Sequence, residues 1–173
     1  MRDDSQTRKL RRDLRNLLPA DKNDLVAVDA LIARGYPTVD PILLDILKWI
    51  RQPQWPVADP LAKFLLSLGP ALLPHIHRIF SSSRDEQWKA EILRTIVQYW
   101  PADQVAELTS YLTVLATHGQ SWGVDLISLR LLAHHRLAER EWIARWLDFK
   151  RQFHQGQLHE IECIRQLNSN GAA

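Results

Sequence analysis

His159 and Cys163 are the residues whose types and spacing come closest to a chemical site in this sequence. They are four residues apart and so share a face of a helix, with Glu160 and Glu162 beside them. An imidazole and a thiol in this arrangement are typical of a metal edge or of a Cys–His nucleophile pair. A zinc site needs three or four ligands, however, and no second pair at ligand spacing lies nearby in the sequence. We therefore predict no metal and no cofactor here, and interpret the segment as an exposed polar helix with one buried thiol.

The other histidines and the carboxylates also fit a structural role. His75 and His77 are two residues apart and His134 and His135 are adjacent, so neither pair shares a helix face. Several carboxylates stand where helices are predicted to begin, which capping and the helix dipole explain: Asp21, Asp24, Asp40, Asp59 and Asp85. The glycine-rich phosphate loops and the nucleophile elbow are missing from the sequence. We predict that the chain is not an enzyme.

The composition is that of a folded domain. Of 173 residues, 46% are apolar and 24% charged, which argues against disorder. The single cysteine excludes an intramolecular disulfide. The first residues lack the apolar region of a secretion signal, and the longest apolar stretch, residues 61–76, is interrupted by Lys63, Gly69 and two prolines. We therefore expect a cytoplasmic protein without a membrane segment.

Positive charge is concentrated at the start of the chain. Residues 1–16 hold six basic and three acidic side chains, a net of +3, whereas the whole chain has +2 and the remainder therefore −1. Leucines recur opposite the arginines, so residues 1–18 are predicted to form a basic amphipathic cap helix. Such a helix is either a solvated end of the fold or, as an alternative, a contact for phosphate backbones through Arg8, Arg11, Arg12 and Arg15.

Glycine and proline recur about one helical hairpin apart. Gly35-x-Pro37-x-x-x-Pro41 is followed after 34 residues by Gly69-Pro70-x-x-x-Pro74, and then by Trp100-Pro101. Apolar spacing is helical throughout, and a period of this length is typical of stacked helix pairs. We predict an all-α fold of about eight to ten helices, a HEAT-like α-hairpin repeat or short α-solenoid, with its body at residues 19–137.

An aromatic stripe marks the last part of the chain. Trp142, Trp146, Phe149 and Phe153 follow the i, i+4, i+7, i+11 pattern of one helix face. Gly156 is predicted to end this helix, and a short closing helix follows. We therefore expect residues 138–167 to form aromatic C-terminal helices packed on the stack, and residues 168–173 to form a disordered tail.

Three segments carry a family resemblance. Residues 17–24 (Leu-Leu-Pro-Ala-Asp-Lys-Asn-Asp), Trp49 with the run Trp55-Pro56-Val57-Ala58, and Trp88-Lys89 resemble domain-of-unknown-function family 5071, small HEAT-like proteins of bacteria, over about residues 17–133. The resemblance implies a fold and a bacterial origin rather than an activity. Families of this kind often lie beside polymorphic toxins, where small helical-repeat proteins act as immunity partners.

The functional hypothesis is protein binding. We predict a non-enzymatic protein that binds another protein, in the sharper form an immunity-type protein that neutralises a toxin domain. The alternative is a HEAT-like nucleic-acid-binding protein or base-processing enzyme. Trp55, in a proline-flanked loop, either pins the turn into the core or anchors a partner. The residues predicted to contact the partner are Trp55, Pro56, Asp59, Asp21, Lys22, Asp24, Trp88 and Lys89.

Overall fold

The fold is all-helical in a computed structural model that describes residues 12–119 and 121–170, with side chains to residue 167. No β-strand occurs within these ranges, and the all-α prediction is confirmed. Residues 12–15 are the helical end of the predicted cap segment, with Leu14 buried and Arg12 and Arg15 exposed, while residues 1–11 lie outside the described part. The helices that follow are α1 (Leu25–Arg34), α2 (Leu43–Trp49), α3 (Ala58–Ser67), α4 (Leu73–Ser82), α5 (Glu86–Thr95), α6 (Ala102–Ala106), α7 (Thr109–His118), α8 (Val124–His134) and α9 (Arg140–Asn170).

The predicted glycine–proline punctuation gives two equivalent helix entries. Gly35 and Gly69 have φ of 64° and 53°, in the left-handed region that glycine adopts without steric cost. A 3₁₀ turn containing a proline lies before each helix: one begins five residues after Gly35, at Asp40–Ile42 before α2, and the other begins at Gly69 itself, at Gly69–Leu72 before α4. Both segments therefore lead into a helix through a proline-containing 3₁₀ turn.

Two helices organise the core. In the first half α3 packs against α1 and α2, and in the second half α8 packs against α5, α7 and α9. Ser128 and Leu132 of α8 are fully buried, as expected for a helix covered on several sides. No helix in the described part of the chain is long and apolar enough to cross a bilayer.

The last helix, α9, differs from the prediction. It is a single helix of 31 residues, about 46 Å long at 1.5 Å per residue. The predicted end at Gly156 is wrong, because one glycine costs a helix interior only about 1 kcal/mol and its neighbours favour helix. The backbone is also helical at residues 168–170, where a tail was predicted. Packing on the body is confirmed only for the first part, since every side chain at residues 151–162 is exposed.

A buried ion pair attaches α9 to the body. Lys150 Nζ lies 2.7 Å from Asp125 Oδ2 of α8, and the two side chains are only 10% and 9% exposed. The same ammonium group donates a longer hydrogen bond of 3.4 Å to the carbonyl oxygen of Gly119. Charge pairing and the burial of Ile143 therefore fix the first half of α9 against α8.

Candidate functional site: the tryptophan cleft

Three tryptophans from separate segments meet at one open cleft of about 590 Å³, which we call the tryptophan cleft. Trp49 ends α2, Trp55 lies in the turn after it, and Trp88 lies in the first turn of α5. All three indoles are partly buried against the core and partly open to solvent. The cleft is lined by Leu18, Asp45, Lys48, Trp49, Arg51, Gln52, Trp55, Ser83, Asp85 and Trp88.

Trp88 is held by a hydrogen bond from its indole. Its Nε1–H donates to the carbonyl oxygen of Leu47 at 2.6 Å. The last carbonyls of a helix have no partner within that helix, so this bond also satisfies the C-terminal end of α2. The ring is therefore fixed in orientation at the cleft.

Trp49 and Trp55 contact each other. Their ring centroids are 5.7 Å apart with the planes at 59°, a tilted arrangement that aromatic pairs favour. The turn carrying Trp55 is closed by its backbone, since Trp55 N–H donates to the carbonyl of Gln52 and Ala58 N–H donates to the carbonyl of Trp55. The turn thus presents one indole at a defined position.

Asp85 connects α5 with the turn after α2. Its Oδ1 accepts the backbone N–H of Trp88 at 3.0 Å and caps α5, and its Oδ2 lies 3.0 Å from Arg51 Nε. Asp85 is one of the carboxylates predicted at helix starts, and the Ser83 hydroxyl just before it accepts a hydrogen bond from Asp85 N–H. Asp85 can bind Arg51 and cap α5 at the same time, and this explains why α5 starts where it does.

Asp45 is the buried charge of the cleft. Its side chain is 9% exposed and accepts hydrogen bonds from Arg15 Nε at 2.9 Å and Lys48 Nζ at 2.8 Å. Burial by itself would raise the pKa of Asp45, but the hydrogen bonds and charges of Lys48 and Arg15 outweigh it and hold the pKa below its usual value. The carboxylate is therefore ionised at neutral pH and anchors the basic first segment beside the tryptophans.

The loop before α1 lies against the turn of Trp55. Val57 N–H donates to the carbonyl oxygen of Lys22 at 3.3 Å, while the Lys22 side chain is exposed. Asp24 caps α1, accepting from the N–H groups of Ala20 and Ala27, and these bonds lower the pKa of Asp24. Asp21, also predicted at this helix start, does not cap α1, because its carboxylate accepts from Asn23 N–H within the loop.

The other predicted contact residues lie outside the cleft lining. Pro56 and Asp59 are exposed next to it, and Asp59 forms an ion pair with Lys63 at 2.7 Å. Lys89 is directed into the body, where its Nζ donates to the carbonyl of Phe80 at 3.1 Å. Burial lowers the pKa of Lys89, against the opposing charges of Glu86 and Asp85. Lys89 is therefore a buried structural lysine rather than a surface contact.

The lining of the cleft is mainly aromatic and charged. It combines fixed aromatic surfaces with charges that are already paired, and its ten lining residues include no histidine or cysteine. His159 and Cys163 lie elsewhere, on α9, with Sγ and Nε2 3.7 Å apart and the thiol partly exposed rather than buried. Within the described residues, no three histidine, cysteine or carboxylate side chains are grouped so that they could hold a metal ion.

The fold and cleft define a small all-α protein with an open aromatic cleft. The family described as Domain of unknown function (DUF5071) matches residues 17–126, nearly two thirds of the chain, and the chain belongs to this family. Every lining residue of the tryptophan cleft lies within the match, whereas α9 lies beyond it. No curated protein matches the chain.

Proposed function

We propose that this chain is a non-enzymatic, HEAT-like helical-repeat protein of the bacterial cytoplasm that binds a segment of another protein in the tryptophan cleft. One observation carries the proposal: Trp49, Trp55 and Trp88 are held in fixed orientations around an open cleft. Tryptophan is enriched among the residues that dominate protein interfaces, and a fixed ring loses little conformational freedom on binding. The repeated glycine–proline helix entries support the repeat architecture.

Charge exposure around the cleft indicates the chemistry of the partner. Arg15, Lys48 and Arg51 are 49–62% exposed, whereas the carboxylates that pair with them are only 9% and 24% exposed. The solvent-facing edge is therefore positive although its charges are paired. A segment with an apolar or aromatic anchor flanked by carboxylates fits this arrangement best.

Within this class we propose an immunity-type role, in which the bound segment belongs to a toxin domain. The resemblance of the chain to small helical-repeat proteins encoded beside toxins supports this choice. Coexpression with the product of the neighbouring open reading frame, followed by copurification, tests it. A neighbouring product that does not copurify would remove the immunity role and leave the binding cleft to be tested by substitution.

Affinity purification of the tagged chain from its native cell, with three variants, tests the cleft. The wild-type chain is expected to retain a partner protein in stoichiometric amount. Trp55→Ala should reduce recovery of that partner about tenfold or more, because the loss of an interface anchor costs about 1.4 kcal/mol or more. Trp122→Ala is the matched control, because Trp122 is 58% exposed and does not line the cleft. Equal recovery with Trp55→Ala and Trp122→Ala would contradict the proposal.

A nucleic acid is the second candidate ligand, and one contact favours it. Arg15 binds Asp45, so one basic side chain borders a cleft whose three indoles could stack on bases. The paired state of Arg15 favours the protein ligand instead. A salt titration of a labelled single-stranded oligonucleotide distinguishes the two, because phosphate contacts predict affinity that falls steeply with salt. Absence of binding at low salt would remove this candidate.

A further inference from the structure

The second half of α9 exposes several large apolar side chains to solvent. Phe153, Leu158, Ile161, Ile164 and Leu167 are 53–73% exposed. An isolated helix of this length is marginal in water, because most helical stability in proteins comes from packing. A partner surface that covers this half of α9 would supply that packing.

The seam on α9 that could be covered has the spacing of a coiled coil. Residues 142, 146, 149, 153, 156, 160, 163 and 167 alternate in steps of four and three, as the core positions of a heptad do. The first four are Trp142, Trp146, Phe149 and Phe153, and the last is Leu167. The aromatic end of the seam is bulky, while the other end holds the small Gly156 and Cys163 with the carboxylate of Glu160 between them.

We propose that α9 pairs with α9 of a second copy of this chain, antiparallel, along this seam. Antiparallel pairing sets the bulky aromatic half of one copy against the small half of the other. A parallel pair would instead set bulk against bulk and small against small. Size complementarity therefore favours the antiparallel arrangement.

The charges of α9 favour the same arrangement. Residues 140–153 carry four basic and two acidic side chains, and residues 154–167 carry two acidic and one basic. Arg145 and Glu160 are both exposed, and neither has an ion pair among the described residues. In an antiparallel pair the basic half of one copy faces the acidic half of the other, with Arg145 near Glu160 of its partner.

The available area is sufficient for a specific but modest dimer. Phe149, Phe153 and Leu167 on the seam, and Ile164 next to it, are each more than half exposed, or about 100 Å² apiece on the scale of large side chains. Two copies then bury about 800 Å² from these side chains, and Trp142 and Trp146 bring the total toward the roughly 1,000 Å² that specific interfaces reach. We therefore expect a reversible dimer, independent of whether the tryptophan cleft binds a protein.

Sedimentation velocity of the full chain over a wide concentration range tests the dimer. The mass is expected to rise from 20.1 kDa to about twice that value with concentration. Phe153→Glu, on the seam, should weaken association about tenfold or more. Leu158→Glu is the matched control, since Leu158 is 66% exposed but lies off the seam and should dimerise normally. A mass that stays monomeric, or equal loss in both variants, would overturn the proposal.

A charge exchange tests the antiparallel orientation. Arg145→Glu and Glu160→Arg should each weaken association, and the double variant should restore it, because only antiparallel pairing brings the two positions together. Cys163 provides a second test: its two copies lie about 25–30 Å apart in the antiparallel pair, too far for a disulfide. A double variant without recovery, or ready formation of a disulfide-linked dimer by the native chain, would refute the orientation.

Discussion

Substitution of Lys150 by methionine is the change whose effect on folding the structure specifies most fully. Lys150 and Asp125 form an ion pair with 2.7 Å between Nζ and Oδ2, and each side chain is about nine-tenths buried. Lys150→Met keeps the length of the side chain and removes its charge. The carboxylate of Asp125 is then left buried without its counterion, and the carbonyl of Gly119 loses a weak donor.

The expected loss of stability is large. Removing one partner of a buried ion pair costs about 3–5 kcal/mol, and two unit charges about 4 Å apart at an effective dielectric constant near 20 interact by about 4 kcal/mol. This is a substantial part of the roughly 5–15 kcal/mol that stabilises a typical domain. With a urea dependence of about 2 kcal/mol per molar, the midpoint of unfolding should fall by about 1.5–2.5 M.

Urea unfolding at pH 7, followed by circular dichroism, measures this loss. The paired variant Asp125→Leu with Lys150→Met is the control, and it should lie within about 1 kcal/mol of the wild-type chain because no charge remains buried. A loss below about 0.5 kcal/mol for Lys150→Met alone would show that water reaches the pair. The reasoning from burial would then be wrong.

Three further changes test other parts of the fold. Burial raises the pKa of Asp45, but its contacts with Lys48 and Arg15 lower it by more, so the pKa is lower in the folded chain than in the unfolded one. The contribution of Asp45 to stability is therefore present above about pH 4 and is lost as the pH falls through the folded pKa. Asp45→Asn should make the melting temperature decline less steeply in acid. Asp85→Ala removes the cap of α5 and should lower the unfolding free energy by about 1 kcal/mol, measured with urea. In Gly119→Ala the new methyl group would lie 2.5 Å from a carbonyl oxygen and from Val124 Cγ1, and the same measurement should show a loss of about 1–3 kcal/mol.

The sequence predicted the helical content of the chain correctly, but it predicted the residues at which helices start less accurately. Apolar spacing predicts helices because it reflects which face is buried, and the structure confirms an all-α chain. Asp24 and Asp85, both predicted at helix starts, cap α1 and α5, whereas Asp21, predicted in the same way, caps no helix. Two suitable capping residues precede each helix, and at α5 the choice depends on Arg51, 34 residues earlier. Local sequence does not contain that contact.

The end of α9 illustrates a different limit. Gly156 was interpreted as a stop because glycine favours left-handed helix ends. A glycine stops a helix only where the chain gains contacts by turning away, and a Cβ at Gly156 would meet no atom within 4 Å. The local penalty of about 1 kcal/mol is then smaller than that of ending the hydrogen-bonded helix at this point.

The tryptophan cleft was predictable in part. Trp55 and Trp88 were singled out, and the structure brings them together with Trp49. The charged residues were missed, because Asp45 pairs with Arg15 and Arg51 pairs with Asp85, each partner being about 30 residues away. A motif therefore identifies the aromatic part of the cleft, while its charged edge requires the fold.

Binding at the tryptophan cleft is linked to folding, since its three indoles come from α2, the turn after it and α5. A ligand that contacts all three binds the folded chain and not the unfolded one, because the contacts of the fold, among them the Trp88 bond to Leu47 and the Arg51–Asp85 pair, bring these segments together. Such a ligand at one hundred times its dissociation constant stabilises the fold by about 2.7 kcal/mol. With such a ligand, the half-buried tryptophans would serve both packing and recognition. A loss of binding in Trp55→Ala is evidence for recognition only if the variant's melting temperature shows that the cleft is still folded.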